Sequence, residues 1–282
     1  MRILLATDGS RHSRRATRWL RDLGLPSDTT IAVLSVATLD EPPRDAQTMT
    51  ELRAELGRKA RRVAERAAKT LERRWRRLEV TVKEGDPRVE IVYAAAEMRV
   101  EMIVLGARGL GRVKRVLLGS TSLAVARYAP CPVAIVQGRP HKTRRVLVAV
   151  DRSSGSRDAL LFLSLSELER DSRVTLLHVL PRAVIAESRR SATSLDDRKE
   201  HAEAETLLRD AAATLPKSRR SIEPLVAHGD PAVEIVKIAR RRDVDLVILG
   251  ARGLRTLGRL LLGSVSETVL HQAGRPVIIV RE

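Results

Sequence analysis

Aromatic side chains are nearly absent: Trp19, Trp75, Tyr93, Tyr128 and Phe162 make up 2% of the 282 residues. A core must be built from Leu, Val, Ile and Ala, and base recognition by aromatic stacking is disfavoured. Cys131 is the one cysteine, which excludes an internal disulfide and a cysteine-rich metal site and fits a reducing compartment. The six histidines, at 12, 141, 178, 201, 228 and 271, show no His-Glu-x-x-His or similar spacing, so no zinc site is expected. No apolar run approaches the ~18–20 residues of a membrane span. The start, Met1-Arg2-Ile3-Leu4-Leu5-Ala6-Thr7-Asp8, reaches an acid too soon for the ~7–15 apolar residues of a secretory leader. A cytoplasmic protein with no membrane partner is expected.

What the chain has in excess is arginine. Lys and Arg number 52, of which 44 are Arg, against 35 Asp and Glu, for a net charge of +17. Hydrophobic residues at 43% match an ordinary folded protein, so wholesale disorder is excluded. Strong positive charge favours encounters with polyanions. The densest basic segment, within 47–78, carries Arg61, Arg62, Arg66, Arg73, Arg74, Arg76 and Arg77 beside Glu55, Glu65 and Glu72. With no nucleic-acid motif present, a solvated helix face is the preferred reading and nucleic acid is not expected among the partners. A salt-sensitive polyanion-binding module is the alternative.

The chain repeats itself. Asp8 and Asp151 each close an apolar run, 143 positions apart. At an offset of 144, Gly85-Asp86-Pro87 recurs as Gly229-Asp230-Pro231, Gly106-Ala107-Arg108-Gly109-Leu110 as Gly250-Ala251-Arg252-Gly253-Leu254, and Gly119-Ser120 as Gly263-Ser264. A period this long marks two copies of one domain, 1–138 and 143–282, rather than a solenoid. Strands are expected at 2–7, 30–36, 79–84, 102–106 and 132–136, and helices at 10–23, 47–78, 88–98 and 120–129. The wholly apolar Met102-Ile103-Val104-Leu105 and Leu246-Val247-Ile248-Leu249 suit strands covered on both faces. Strand–helix alternation then implies an α/β fold, a doubly wound parallel sheet in each copy, with ligands bound at the strand carboxyl ends.

At those ends stands the pattern Gly106-x2-Gly109-x9-Gly119-Ser120-Thr121-Ser122, matched by Gly250-x2-Gly253-x9-Gly263-Ser264-Val265-Ser266. Glycines let a phosphate approach the backbone, a helix N-terminus supplies free N–H groups, and Ser120, Ser122, Ser264 and Ser266 add hydroxyl donors. Together they describe a phosphate cradle. The competing reading takes the glycines as turn residues and the serines as caps. Neither a Walker A loop nor a Rossmann fingerprint fits, because no Gly-Lys-Ser/Thr is present at the required spacing and the glycines follow the fourth strand.

This pattern, together with the aspartate closing the first strand and the Gly-Asp-Pro turn, resembles the ATP-binding subgroup of the universal stress protein family, in a tandem-domain form. The resemblance implies strand order 3-2-1-4-5 with ATP, carried with Mg²⁺, across the strand ends. It implies that Asp8 and Asp151 hold ribose, that Val36 and Val179 meet adenine through their backbone, and that the glycine loops with Ser120, Thr121, Ser122, Ser264, Val265 and Ser266 hold the phosphates. Arg108 and Arg252 would reach the γ-phosphate or else remain ordinary exposed arginines, and helix capping is the lesser alternative for Asp8 and Asp151. Arg152, where the first copy has Gly9, would crowd or recruit phosphate.

A stress-response regulator acting through nucleotide-dependent conformation or partner contacts is the function expected. The alternative on the same site is a slow ATPase or adenylyl-transferring enzyme. With no histidine read beside the glycine loop, no catalytic residue is assigned. The two copies are expected to pair as an intramolecular pseudo-dimer through strands 132–136 and 276–280, with a second-chain dimer as a further arrangement. Cys131 is read as a small buried hydrophobe.

Overall fold

The computed structural model describes residues 1–39, 45–108, 118–138, 143–166, 168, 171–181, 194–216, 221–253 and 262–281. The chain divides into two compact units, Met1–Lys142 and Thr143–Glu282. The first runs β1 (Arg2–Ala6), α1 (Arg11–Asp22), β2 (Thr30–Ala37), α2 (Ala46–Leu71), β3 (Arg77–Glu84), α3 (Pro87–Glu97), β4 (Met102–Gly106), α4 (Ser120–Tyr128) and β5 (Val133–Val136). The second repeats it with β6 (Arg145–Ala149), α5 (Ser154–Leu165), β7 (Arg173–Leu180), α6 (Ser194–Thr214), β8 (Ser221–His228), α7 (Pro231–Arg241), β9 (Leu246–Gly250), α8 (Ser264–Gln272) and β10 (Val277–Val280).

Within the first unit the strands lie in the order β3-β2-β1-β4-β5, every pair parallel. Within the second they lie β8-β7-β6-β9-β10, again all parallel. Ile3, Leu4, Leu5, Ile31, Val33, Met102, Ile103 and Val104 are fully buried, which is what helices on both faces require of a central parallel strand. The order reverses between β1 and β4, and between β6 and β9. The crevice of each sheet therefore opens at the carboxyl ends of those strands.

The Gly-Asp-Pro repeats are turns of the scaffold. Gly85 and Gly229 sit at φ +140° and +147°, Gly85 N–H donates to Ala37 O at 3.0 Å, and Asp86 and Asp230 cap α3 and α7, whose first residue is the proline. Glycine turns the chain, aspartate satisfies a free N–H and proline starts the helix.

The expected helix over 47–78 is shorter. α2 ends at Leu71, Arg74 N–H turns back to Leu71 O at 2.9 Å, and β3 begins at Arg77, paired with Thr30. No glycine or proline marks the break, and helix-compatible arginines run through it. Strand pairing overrides local propensity here, while Trp75, 1% exposed, anchors the turn.

Candidate functional site

Each crevice gathers three pieces of chain. The first is the loop after β1, where Asp8 Oδ1 accepts from Ser10 N–H at 2.9 Å. Asp151 Oδ1 accepts likewise from Ser153 N–H at 2.9 Å, and from the Ser153 hydroxyl. The helix caps are Ser10 and Ser153, which take N–H bonds from Ser13 and Ser156 at 3.1 and 3.2 Å. Asp8 and Asp151 therefore stand two residues ahead of the caps, and the cap reading of these carboxylates is set aside. The cap serines were missed in the sequence, although Ser10-x-x-Ser13 and Ser153-x-x-Ser156 are N-terminal signatures in plain view.

The second piece is the end of the fourth strand. Gly106 lies so close to α1 that a Cβ there would stand 2.6 Å from the carbonyl carbon of His12. At Gly250 it would stand 2.3 Å from the Gly155 backbone. These glycines are required by helix–strand packing, whatever else they do. The loops beyond them touch the first piece: Ser10 Oγ reaches Arg108 O at 3.3 Å, and Ser153 Oγ reaches Arg252 O at 3.4 Å. A Cβ at Gly253 would stand 3.1 Å from Asp151 Oδ2. Gly109 lies outside the described residues. Val36 and Val179 come two residues past Leu34 and Leu177, whose carbonyls accept from Thr7 and Val150 at 2.8 Å. That register sets both valines level with the aspartate loops.

The third piece is the N-terminus of the fourth helix of each copy. Gly119 and Gly263 are the N-cap residues of α4 and α8, and neither offers a side-chain cap. By contrast α1, α2, α3, α5 and α7 are capped by Ser10, Asp45, Asp86, Ser153 and Asp230. Gly119 and Gly263 are pinned by N–H bonds to Ala107 O and Ala251 O at 2.7 and 2.8 Å. Ser120 and Ser264 are exposed, and Thr121 and Val265 are half-buried. Ser122 and Ser266 are buried, and their hydroxyls donate to Gly106 O and Gly250 O at 2.8 and 2.7 Å. Those two protons already bind α4 to β4 and α8 to β9, so the open donors are the first-turn N–H groups and the exposed hydroxyls.

Cationic groups stand on and beside the strand-end loops. Arg281 follows β10 beside Arg252; burial and that neighbouring charge lower its pKa, and its Nη2 is buried without a partner. Neither sequence periodicity nor spacing marks it. Arg152 is tied to Glu203 of α6 at 2.9 Å. The expectation of no histidine beside the loop needs correction, because His12 packs its backbone on Gly106. Its Nδ1 is buried without a partner, and burial together with Arg15, Arg108 and Arg11 lowers its pKa against an opposing pull from Asp8. The second copy has Gly155 at this position.

Comparison with known proteins agrees with the fold of each copy. The family model described as "Universal stress protein family" matches residues 1–137 and again 142–281. A universal stress protein of Mycobacterium tuberculosis is 32% identical over 220 residues, covering 72% of each chain. One from Mycolicibacterium smegmatis is 27% identical over 288 residues, covering 99% of this chain and 96% of that one. The crystal structure of a universal stress protein from Archaeoglobus fulgidus matches at TM-score 0.69 and 24% identity, over 100% of this chain and 96% of that one. The chain thus belongs to the universal stress protein family, carrying two tandem copies of its α/β domain.

Proposed function

We propose that each copy binds one ATP, and that occupancy regulates conformation or partner contacts in a stress response. The observation that carries this reading is the pair of glycine-capped helices, α4 and α8, left without a side-chain cap beside a strand-end carboxylate. Uncapped first-turn N–H groups at the positive end of a helix dipole suit a polyphosphate. In this reading Asp8 and Asp151 take the ribose hydroxyls, and the backbones of Val36 and Val179 take the adenine edge. Gly106, Gly109, Gly119, Ser120 and Thr121 line the phosphates in the first copy, as Gly250, Gly253, Gly263, Ser264 and Val265 do in the second. Arg108 and Arg252 stand at the γ-phosphate. Mg²⁺ is proposed to arrive with the nucleotide, held by its phosphates.

Calorimetry with MgATP is expected to approach two sites per chain. Absence of binding would overturn the proposal, and a single site would overturn its two-copy form. Gly263→Asp separates binding from folding: aspartate is a better N-cap than glycine by a few tenths of a kcal/mol, yet its charge occupies the phosphate position. The variant should melt no lower than the parent and lose one site.

Turnover is proposed to be far below the ~1–10³ per second of ordinary enzymes, because backbone donors and a ribose carboxylate hold a ground state without activating water. The unpartnered Nδ1 of His12 favours a second reading, slow hydrolysis confined to the first copy. A single-turnover assay decides: loss of turnover in His12→Gln with ATP still bound would establish that reading. The copies are proposed to pair through β5 and β10 within one chain. On this proposal the whole chain is expected to sediment as a compact monomer, and independently tumbling domains in solution would exclude it.

A further inference from the structure

Helices α2 and α6 occupy the same place in the two copies, and their buried positions coincide at an offset of 144. Ala60, Ala64, Ala67 and Leu71 are buried, as are Ala204, Leu208, Ala211 and Leu215. The exposed positions do not coincide. Arg58, Arg62, Arg66 and Lys69 of α2 correspond to Ala202, Thr206, Asp210 and Ala213 of α6, and all eight are exposed. Lys59 and Arg61 are matched by Glu203 and Glu205. The fold therefore does not need these cations, since the second copy builds the same helix on the same kind of core without them.

At about 100° per residue, Arg58, Arg62, Arg66 and Lys69 fall within one arc of about 80°, opposite the buried alanines. They form a straight row about 16 Å long at 1.5 Å per residue, roughly one cation per turn. Arg73 continues the row past the helix end, with exposed Arg74, Arg76 and Arg77 beside it. Among the described residues no ion pair engages Arg58, Arg62, Arg66, Lys69 or Arg73, whereas Arg61 faces Glu65 at 3.9 Å and Arg53 meets Glu84 at 2.8 Å. Glu55 and Glu65 flank the row on the same side of α2, yet among the described residues neither pairs with it, so the like charges stand one turn apart against their own repulsion. Trp75, the only aromatic in this segment, is buried, so the row presents charge and no stacking surface.

We propose that this face of α2 binds the phosphate backbone of nucleic acid without regard to base sequence, at a surface separate from the nucleotide crevice. Regular cations at one-turn spacing match a regular polyanion, and the lack of aromatic or base-edge readers limits recognition to phosphate. The solvated-face reading of the sequence is revised on this ground, because the exposed row is both unpaired and dispensable to the fold.

The test is fluorescence anisotropy of labelled 20-base-pair DNA and RNA duplexes against the full chain, in excess MgATP to keep the crevices filled, over a series of salt concentrations. Four neutralised phosphates correspond to a slope of about −3.6 in log affinity against log salt. The variant Arg58→Ala, Arg62→Thr, Arg66→Asp, Lys69→Ala installs the residues that the α6 backbone already carries. It should bind at least tenfold more weakly and flatten the slope by about three units. A control that removes four charges elsewhere, Arg157→Ala, Arg173→Ala, Arg198→Ala and Arg241→Ala, should retain most of the affinity. Absence of duplex binding by the parent, equal losses in both variants, or equally tight binding of a polyglutamate of matched charge would overturn the proposal. Circular dichroism melts confirm that the variants compared are folded.

Discussion

At the scale of single residues, chemistry follows environment more than type. Cys131 is buried, and desolvation raises its thiol to about 12. The thiolate is the reactive form, so a disulfide-exchange reagent at pH 8 should leave native protein unlabelled and label it fully in denaturant. His12 is perturbed in the opposite sense. Its pKa lies below the ordinary 6.5 because burial and then Arg15, Arg108 and Arg11 disfavour the cation. The unfolded chain thus takes up this proton at higher pH than the folded chain. The His12 contribution to stability is full above about pH 6.5 and declines as the pH falls towards the folded-state value. Urea titrations between pH 7.5 and 5 should show a shallower pH dependence in His12→Gln than in the parent.

At the scale of elements, what was legible in the sequence was what repeats with a period. The strands of both copies, the Gly-Asp-Pro turns and the glycine-led helices α4 and α8 were visible because apolar runs and turn residues are local signals. The end of α2 was hidden, because Arg73, Arg74, Arg76 and Arg77 satisfy a helix as well as a strand start, and only pairing of Arg77 with Thr30 settles it. That Asp8, Asp151, Gly106 and Gly250 stand at strand ends was legible from the apolar runs and the repeat. Arg281 and His12 were not, because they arrive at the crevice by tertiary placement. Ser122 was found for the wrong bond: its hydroxyl joins α4 to Gly106 O. Ser122→Ala should therefore leave a buried carbonyl unpaired and lower stability by about 1–3 kcal/mol, measurable by urea unfolding.

At the scale of the whole molecule, duplication has kept one plan and released its details. The sheets share strand order and register, and the crevices share their caps and carboxylates. They differ at His12 against Gly155, at Gly9 against Arg152, and along the outward faces of α2 and α6. If each copy binds nucleotide as proposed, the affinities of the two sites should respond differently to pH. Removing His12 should leave affinity pH-dependence in the second copy unchanged, as read by calorimetry on a chain whose first site is blocked by Gly119→Asp. The glycine caps have a consequence for the life of the protein. A helix capped by glycine forgoes a few tenths of a kcal/mol relative to one capped by serine or aspartate, so each copy is a fold with one helix terminus left open. Under the proposed function a nucleotide seated there is a detachable part of the architecture, adding about 2.7 kcal/mol of stability when present at a hundred times its dissociation constant. Resistance to proteolysis would then rise and fall with the supply of ATP, making the lifetime of the chain itself a readout of the energy state around it.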